Sequence, residues 1–228
     1  EGKYTESIKA VKNNKDIRSK IFRARVMSIN AHYFLNELQA KTTLKKAIEL
    51  AKEAILIDPK NDQAYIELAH ALGRYSQNIG IMQALARGLA DKVYKNLDIA
   101  LNLNPENVIA HISKGTWNAE IVNKAGSFMA KTLYKATAEN ARKHYSKAEM
   151  LLTLIEYDTD KNPDTISPIV TLYEIAYGYS LLEEEDDIIN SKRLLSKIIS
   201  IKSQSHLDDI IKNLSIKLSN NLEKWYQE

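Results

Sequence analysis

The clearest pattern of apolar and polar positions lies in the segment 45–68. Apolar residues recur there three and four positions apart, which is the spacing of one face of an α-helix. The small members of this face are Ala47, Ala51 and Ala54. Because alanine has a minimal side chain, such a stripe lets another helix approach closely. The pattern therefore predicts a helix that packs tightly against its neighbours.

A proline marks the end of this predicted helix. Pro59 lacks an N–H group and disfavours helical backbone in the residue before it, so the helix is expected to end near Asp58. Asn61 or Asp62 can then accept hydrogen bonds from the first N–H groups of a second helix. The segment is thus predicted to form two helices joined by a short turn.

The same arrangement recurs further along the chain. Ala54 and Pro59 correspond to Ala100 and Pro105. A third copy lacks the proline, and its residues in the places of the first three alanines are Ala141, Tyr145 and Ala148. Ala54 lies 46 residues before Ala100, and Ala100 lies 48 before Ala148. Such a nearly constant period is the signature of a helical repeat protein.

The preceding helices of the repeats also align, as segments 31–38, 65–72 and 111–118. Gly115 is the best single match to a repeat position that needs a small residue for close helix packing. The extra length relative to a repeat of about 34 residues lies near 76–93 and 121–141. Both inserts keep helical apolar spacing, so we expect lengthened helical arms. The glycines expected to mark bends or helix ends are Gly80, Gly88 and Gly126.

These motifs resemble the tetratricopeptide repeat (TPR). With its long inserts, the chain also resembles bacterial TPR proteins and the regulator of microtubule dynamics family over residues 17–154. The stretches that carry this resemblance are LAHALGRYSQNIGI at 68–81, LDIALNLNPENVIAH at 97–111 and KGTWNAEIV at 114–122. The TPR subunit of TRAP-type transporters is a more distant comparison. The resemblance implies an all-helical adaptor without a catalytic motif.

The predicted fold is all-α, a TPR-like right-handed solenoid of about four helical hairpins with a C-terminal capping helix. Residues 1–15 are expected to form a short helix or a frayed end, and residues 16–204 the repeat domain. Residues 205–228 are expected to form the capping helix, whose polar outer face suits the end of a solenoid.

Composition and charge narrow the functional classes. The chain has 228 residues with only 7 Gly and 4 Pro, which favours helices. Its 32 basic and 29 acidic residues give a net charge of +3, so general nucleic-acid binding is not expected. Cysteine is absent, which excludes disulfides and thiolate chemistry. No apolar run reaches the roughly 18–20 residues of a membrane span.

The compartment stays open at this stage. The sequence begins at Glu1 rather than at a methionine, so a signal, an anchor or a tag is one explanation of its start. A bacterial protein that is either cytoplasmic or exported fits the resemblance, and the oligomeric state is undetermined.

The concave face of the predicted solenoid is its expected binding surface. The repeat alignment places seven residues there: His32, Asn36, His70, Arg74, Gln77, Trp117 and Glu120. His70, Arg74 and Gln77 are spaced at i, i+4 and i+7 and therefore share one helix face. Arg74 would supply a bidentate donor to an anionic group. The alternative is an ordinary solvated helix face on which Arg74 and Glu120 form an ion pair.

The second insert and the helix after it are rich in basic residues. These are Lys124, Lys131, Lys135, Arg142 and Lys143. They indicate a surface for an acidic partner or an anionic membrane, with apolar residues interspersed. The favoured interpretation is simpler, namely an amphipathic arm that packs on its neighbour and keeps its lysines in water.

Catalytic and metal chemistry find no support in the sequence. None of the five histidines forms an i, i+4 pair, and there is no phosphate-binding glycine loop. The chain is therefore predicted to be no enzyme and to hold no metal or other cofactor.

The leading functional hypothesis is a non-catalytic adaptor or scaffold that binds a peptide or helix of another protein on its concave face. The alternative is an accessory subunit of a bacterial transport system that binds a small apolar molecule or lipid in an internal cavity. The residues proposed to line that cavity are Tyr75, Met82, Met129 and Tyr134.

Overall fold

The computed structural model describes residues 4–10, 14–153 and 167–225, and throughout these ranges the regular elements are helices. The chain forms two compact units, Glu1–Ala110 and His111–Glu228, which are described in turn. No helix of the described ranges is long and apolar enough to span a bilayer.

The first unit is built from antiparallel neighbours in chain order. Its helices are α1 Tyr4–Ala10, α2 Ile17–Tyr33, α3 Glu37–Ile57, α4 Asp62–Ile79, α5 Ile81–Ala86 and α6 Leu89–Leu103. Helix α3 packs between α2 and α4, α4 packs against α6, and α2 also contacts α4. This is the arrangement expected of two helical hairpins whose first helices, α2 and α4, lie side by side.

The alanine stripe of α3 explains this close packing. Ala47, Ala51 and Ala54 are fully buried, as predicted. Helix α3 ends with Asp58 as its C-cap, and Asn61 is the N-cap of α4, accepting a hydrogen bond from the Ala64 N–H at 3.2 Å. The proline, the cap and the small-residue stripe therefore have the structural roles that the sequence predicts.

The first hairpin has a different register from the predicted one, in which a first helix covers 31–38. Helix α2 begins earlier, because Asp16 caps it by accepting a hydrogen bond from the Ser19 N–H at 2.8 Å. It ends at Tyr33, and Asn36 caps α3 by accepting a hydrogen bond from the Gln39 N–H at 3.0 Å. Segment 31–38 thus contains the turn between two helices.

The insert near 76–93 is helical, but it consists of short pieces rather than one long arm. Gly80 separates α4 from the six-residue α5, and Gly88 separates α5 from α6. Both have a positive φ, +79° and +57°. Residues with a Cβ rarely adopt a positive φ, so glycine allows the chain to bend at these positions.

The second unit is also built from helices. Its elements are α7 Val108–Met129, which begins just before the boundary, a π-helical turn Ala130–Tyr134, α8 Ala138–Thr153, α9 Pro168–Ser180, α10 Glu185–Ser200 and α11 His206–Trp225. Helix α9 packs against α10, and α11 contacts both. The predicted capping helix begins at Ser205, and α11 begins one residue later.

Tyr145 of α8 is the centre of packing in this unit. Its side chain is fully buried, and burial raises its pKa well above the ordinary value. A Cβ on Gly115 would lie 2.5 Å from the Tyr145 ring, and one on Gly178 would lie 1.8 Å from its hydroxyl oxygen. Two glycines, from α7 and α9, therefore create the space for the one large residue that replaces an alanine of the stripe.

Candidate interaction surface

Helices α2 and α4 form a polar face in the first unit, which we call the α2/α4 face. Arg25 of α2 donates from Nε to Glu67 Oε1 and from Nη2 to Gln63 Oε1, both at 2.7 Å. These side chains are 42 and 38 residues apart in the sequence. The charge-assisted bonds fix how α2 lies along α4.

Glu67 is almost completely buried, with 1% of its side chain exposed, whereas 18% of Arg25 and 34% of His70 are exposed. Burial alone would raise the pKa of Glu67, but the nearby His70 and Arg25 outweigh it and hold the pKa below its ordinary value. His70 Nδ1 lies 3.8 Å from Glu67 Oε2, which is an ion-pair distance rather than a hydrogen bond. The carboxylate is therefore ionised, accepts a hydrogen bond from Arg25 and lies close to the ring of His70.

His32 and Arg74 occupy the far end of the same face. Desolvation and, secondly, the positive charge of Arg74 lower the pKa of His32, although its side chain remains exposed to solvent. The ring of His32 also stands edge-on to Tyr33, with centroids 4.4 Å apart. A neutral imidazole and a guanidinium thus lie close to each other, each about two helical turns along its helix from the ion pair of Arg25 and Glu67.

Four of the seven predicted site residues are brought together on this face or directly beyond it: His32, His70, Arg74 and Gln77. Gln77 is exposed on the last turns of α4, and Arg74 is partly buried. Asn36 lies instead in the turn before α3, where its side-chain oxygen acts as an N-cap. Asn36 is therefore a capping residue between two helices and does not lie on the face of a first helix, where the repeat alignment places it.

The remaining two predicted residues, Trp117 and Glu120, belong to the second unit. Trp117 is buried, with 7% of its surface exposed, so it contributes to the core of that unit rather than to an open groove. Glu120 is partly exposed, accepts a hydrogen bond from the Tyr177 hydroxyl at 3.1 Å and forms an ion pair with Lys124. Glu120 therefore has two partners within the second unit, Tyr177 and Lys124.

The predicted basic surface is also divided. Arg142 of α8 donates two hydrogen bonds to the buried carboxylate of Asp187, at 2.9 and 2.7 Å, and pairs with Glu184 at 2.6 Å. These bonds raise the pKa of Arg142 further above its already high value. Arg142 therefore ties α8 to α10, whereas Lys131, Lys135 and Lys143 are exposed.

The residues proposed for an apolar cavity do not share one kind of environment. Met82 and Met129 are exposed, at 76% and 45%, while Tyr75 is buried and accepts a hydrogen bond from Arg87 at 3.0 Å. Within the described ranges, no group of three or more His, Asp or Glu side chains is arranged to hold a metal ion.

Sequence reasoning misses three residues that organise the α2/α4 face: Arg25, Gln63 and Glu67. In the sequence, Glu67 and His70 are recognisable only as an isolated i, i+3 pair. What the sequence does show is that Gln63, Glu67 and His70 are spaced at i, i+4 and i+7, so their side chains lie on one side of α4. Its partner on α2 depends on tertiary packing, which no local pattern encodes.

Comparison with known proteins agrees with this fold. Residues 2–153, well over half of the chain, match the family model described as Regulator of microtubule dynamics protein 1-3. The crystal structure of a thermophilic TPR protein from Thermus thermophilus superposes with a TM-score of 0.60 at 15% identity. That superposition covers 93% of this chain and 88% of the other, and it bears on the fold alone. No curated protein matches the sequence significantly.

The predicted all-α, TPR-like fold and the predicted family resemblance are both confirmed by these matches. Helical repeats of this type commonly serve protein interaction, and their fold has no characteristic catalytic centre. The chain belongs to the Regulator of microtubule dynamics protein 1-3 family and has a TPR-like helical-repeat fold.

Proposed function

We propose that the chain is a non-catalytic adaptor that binds a segment of another protein on the α2/α4 face. The observation that carries this proposal is the buried ion pair of Arg25 and Glu67, which fixes the two first helices against each other. A rigid backbone beneath the surface reduces the entropy that binding must overcome. His70, Arg74 and Gln77 project from the helix that this pair holds in place.

The chemistry of the face favours an acidic segment. Arg74 carries five N–H donors in a planar fork that matches a carboxylate. His32, kept neutral by its lowered pKa, can donate one hydrogen bond and accept another. We expect the guanidinium of Arg74 to make the charged contact with the partner. A carboxylate side chain or a chain terminus of the partner is the group expected opposite Arg74.

The test is affinity capture with matched variants. The variant His70→Ala/Arg74→Ala removes two partly exposed side chains of the face. The control Lys92→Ala/Lys95→Ala removes two exposed lysines of α6 and the same number of side chains. Circular dichroism checks that both variants keep the helical content of the wild type. Trp117 is unsuitable for this experiment, because replacing a buried residue would confound binding with folding.

The expected result is a protein recovered by the wild type and by the lysine control, and lost or reduced at least about tenfold with His70→Ala/Arg74→Ala. Equal recovery by all three proteins would refute the site. The family description names microtubule dynamics, so microtubules are the first defined partner to test by co-sedimentation with the same variants.

A further inference from the structure

A short segment at the end of α7 exposes large apolar residues in an unusual way. We call it the basic–apolar turn and define it as residues 124–135. Near its start Gly126, with a φ of +75°, interrupts the helical backbone of α7. The segment ends at Lys135, whose φ is +57°. Between them lie the last residues of α7 and the π-helical turn Ala130–Tyr134.

Hydrogen bonds within the basic–apolar turn hold its backbone in place. The Ala136 N–H donates to the Ala130 carbonyl at 3.1 Å, and the Lys135 N–H donates to the Lys131 carbonyl at 3.2 Å. The Thr132 hydroxyl donates to the Phe128 carbonyl at 2.8 Å. The turn is therefore an ordered element held by its own hydrogen bonds, and its surface is defined.

In the basic–apolar turn the small apolar side chains are buried and the large ones are exposed. Ala130 and Ala136 are fully buried and anchor the base. The larger apolar side chains point outward, with 78% of Phe128, 61% of Leu133 and 45% of Met129 exposed. Packing alone would favour the opposite distribution, because large apolar side chains gain most from burial. Clustered exposure of this kind marks a surface that another phase or molecule covers.

The charges around these side chains have one sign. Between residues 121 and 138 the sequence contains three lysines and no acidic residue. Lys131 and Lys135 are exposed and form no ion pair with any part of the chain that the structure describes, whereas Lys124 pairs with Glu120. Aromatic and aliphatic side chains surrounded by lysines are the composition of protein surfaces that enter the interface of an anionic bilayer.

We infer that the basic–apolar turn is a docking element for anionic lipid surfaces. Phe128, Met129 and Leu133 enter the boundary between headgroups and acyl chains, while Lys131 and Lys135 contact lipid phosphates. A membrane suits this surface better than a folded protein does, because a fluid interface accommodates a small apolar tip without a complementary groove. The element belongs to the second unit, whereas the α2/α4 face belongs to the first.

Vesicle co-sedimentation tests this inference with the full chain. We expect binding to vesicles of phosphatidylcholine mixed with phosphatidylserine and much weaker binding to phosphatidylcholine alone. Phe128→Ser/Leu133→Ser should weaken binding at least about tenfold. Lys131→Glu/Lys135→Glu should weaken it by more than the roughly fivefold that each lysine contributes. The control Met82→Ser/Leu85→Ser changes two exposed apolar residues of the first insert and should bind as the wild type does.

The absence of cysteine allows a second, direct readout. Phe128→Cys and Met82→Cys each provide one attachment point for an environment-sensitive dye. The emission of the dye at position 128 should shift to the blue with anionic vesicles, and that at position 82 should not. A wild type that fails to bind, equal binding by Phe128→Ser/Leu133→Ser, or equal dye shifts at both positions would overturn the inference.

Discussion

Replacing Gly178 with alanine should unfold the second unit more readily, although alanine is the better helix former. Gly178 lies in α9, where the exchange alone would stabilise a helix by about 1 kcal/mol. The new Cβ, however, would stand 1.8 Å from the hydroxyl oxygen of Tyr145 and 2.3 Å from its Cζ. Such contacts are far inside van der Waals distance, so one of the two groups must move.

Tyr145 has little room for such a movement. It is fully buried, and on another side its ring fills the space left by Gly115, where a Cβ would lie 2.5 Å away. Overpacking of a filled core costs about 1–3 kcal/mol and sometimes more, and a contact this short belongs at the upper end. After the gain in helix propensity is subtracted, we expect Gly178→Ala to lower the free energy of unfolding by about 2 kcal/mol.

Gly73→Ala is the matched control. Gly73 lies within α4, and a Cβ there would meet no atom within 4 Å. The same exchange should therefore raise stability by up to about 1 kcal/mol. Denaturant unfolding followed by circular dichroism at the helix band measures both variants. In a Tyr145→Leu background, which lacks the clashing atoms, Gly178→Ala should instead raise stability by up to about 1 kcal/mol, as Gly73→Ala does. Equal stabilities of Gly178→Ala and Gly73→Ala would refute the packing argument.

Three further predictions concern buried ion pairs. Arg25→Ala should cost about 3–5 kcal/mol in denaturant unfolding, because it leaves the buried Glu67 unpaired. Since the folded pKa of Glu67 is lowered, this carboxylate contributes stability above its unfolded pKa, and the contribution disappears as pH falls through the folded value. Glu67→Gln should flatten that part of an acid-unfolding curve, and an unchanged curve would contradict the assignment. Arg142→Ala should lower the free energy of unfolding by about 2–3 kcal/mol, because it leaves the buried Asp187 without its ion pair. The exposed control Lys143→Ala should change stability by less than about 0.5 kcal/mol. Equal losses would show that Arg142 is only a surface charge.

Features encoded within about ten residues can be predicted well from the sequence. The end of α3 at Asp58 depends on Pro59, and the start of α4 depends on Asn61, which is close by in sequence. The close approach at Gly115 is also predictable, although the residue that fills it is not. In each case one local property, such as a missing N–H or a missing Cβ, dictates the backbone.

Features that depend on distant partners cannot be predicted in this way. The sequence assigns Arg142 to a basic surface because nothing near it shows that Asp187, 45 residues later, is buried against it. It assigns Trp117 to a groove because an aromatic residue serves a core or a binding surface equally well. It misplaces Asn36 because asparagine occurs both on helix faces and at N-caps. Tertiary packing decides among these alternatives.

Site-specific photocrosslinking tests the central claim most directly. Gln77 is exposed on α4 one turn beyond Arg74, and Lys95 is exposed on α6. A photoreactive amino acid is placed at one position or the other, and the chain is irradiated in the source cell. We predict that one protein adduct forms at position 77 and not at position 95, and that Arg74→Ala abolishes it. An adduct that forms equally at both positions, or only at position 95, would contradict the assignment of partner binding to the α2/α4 face.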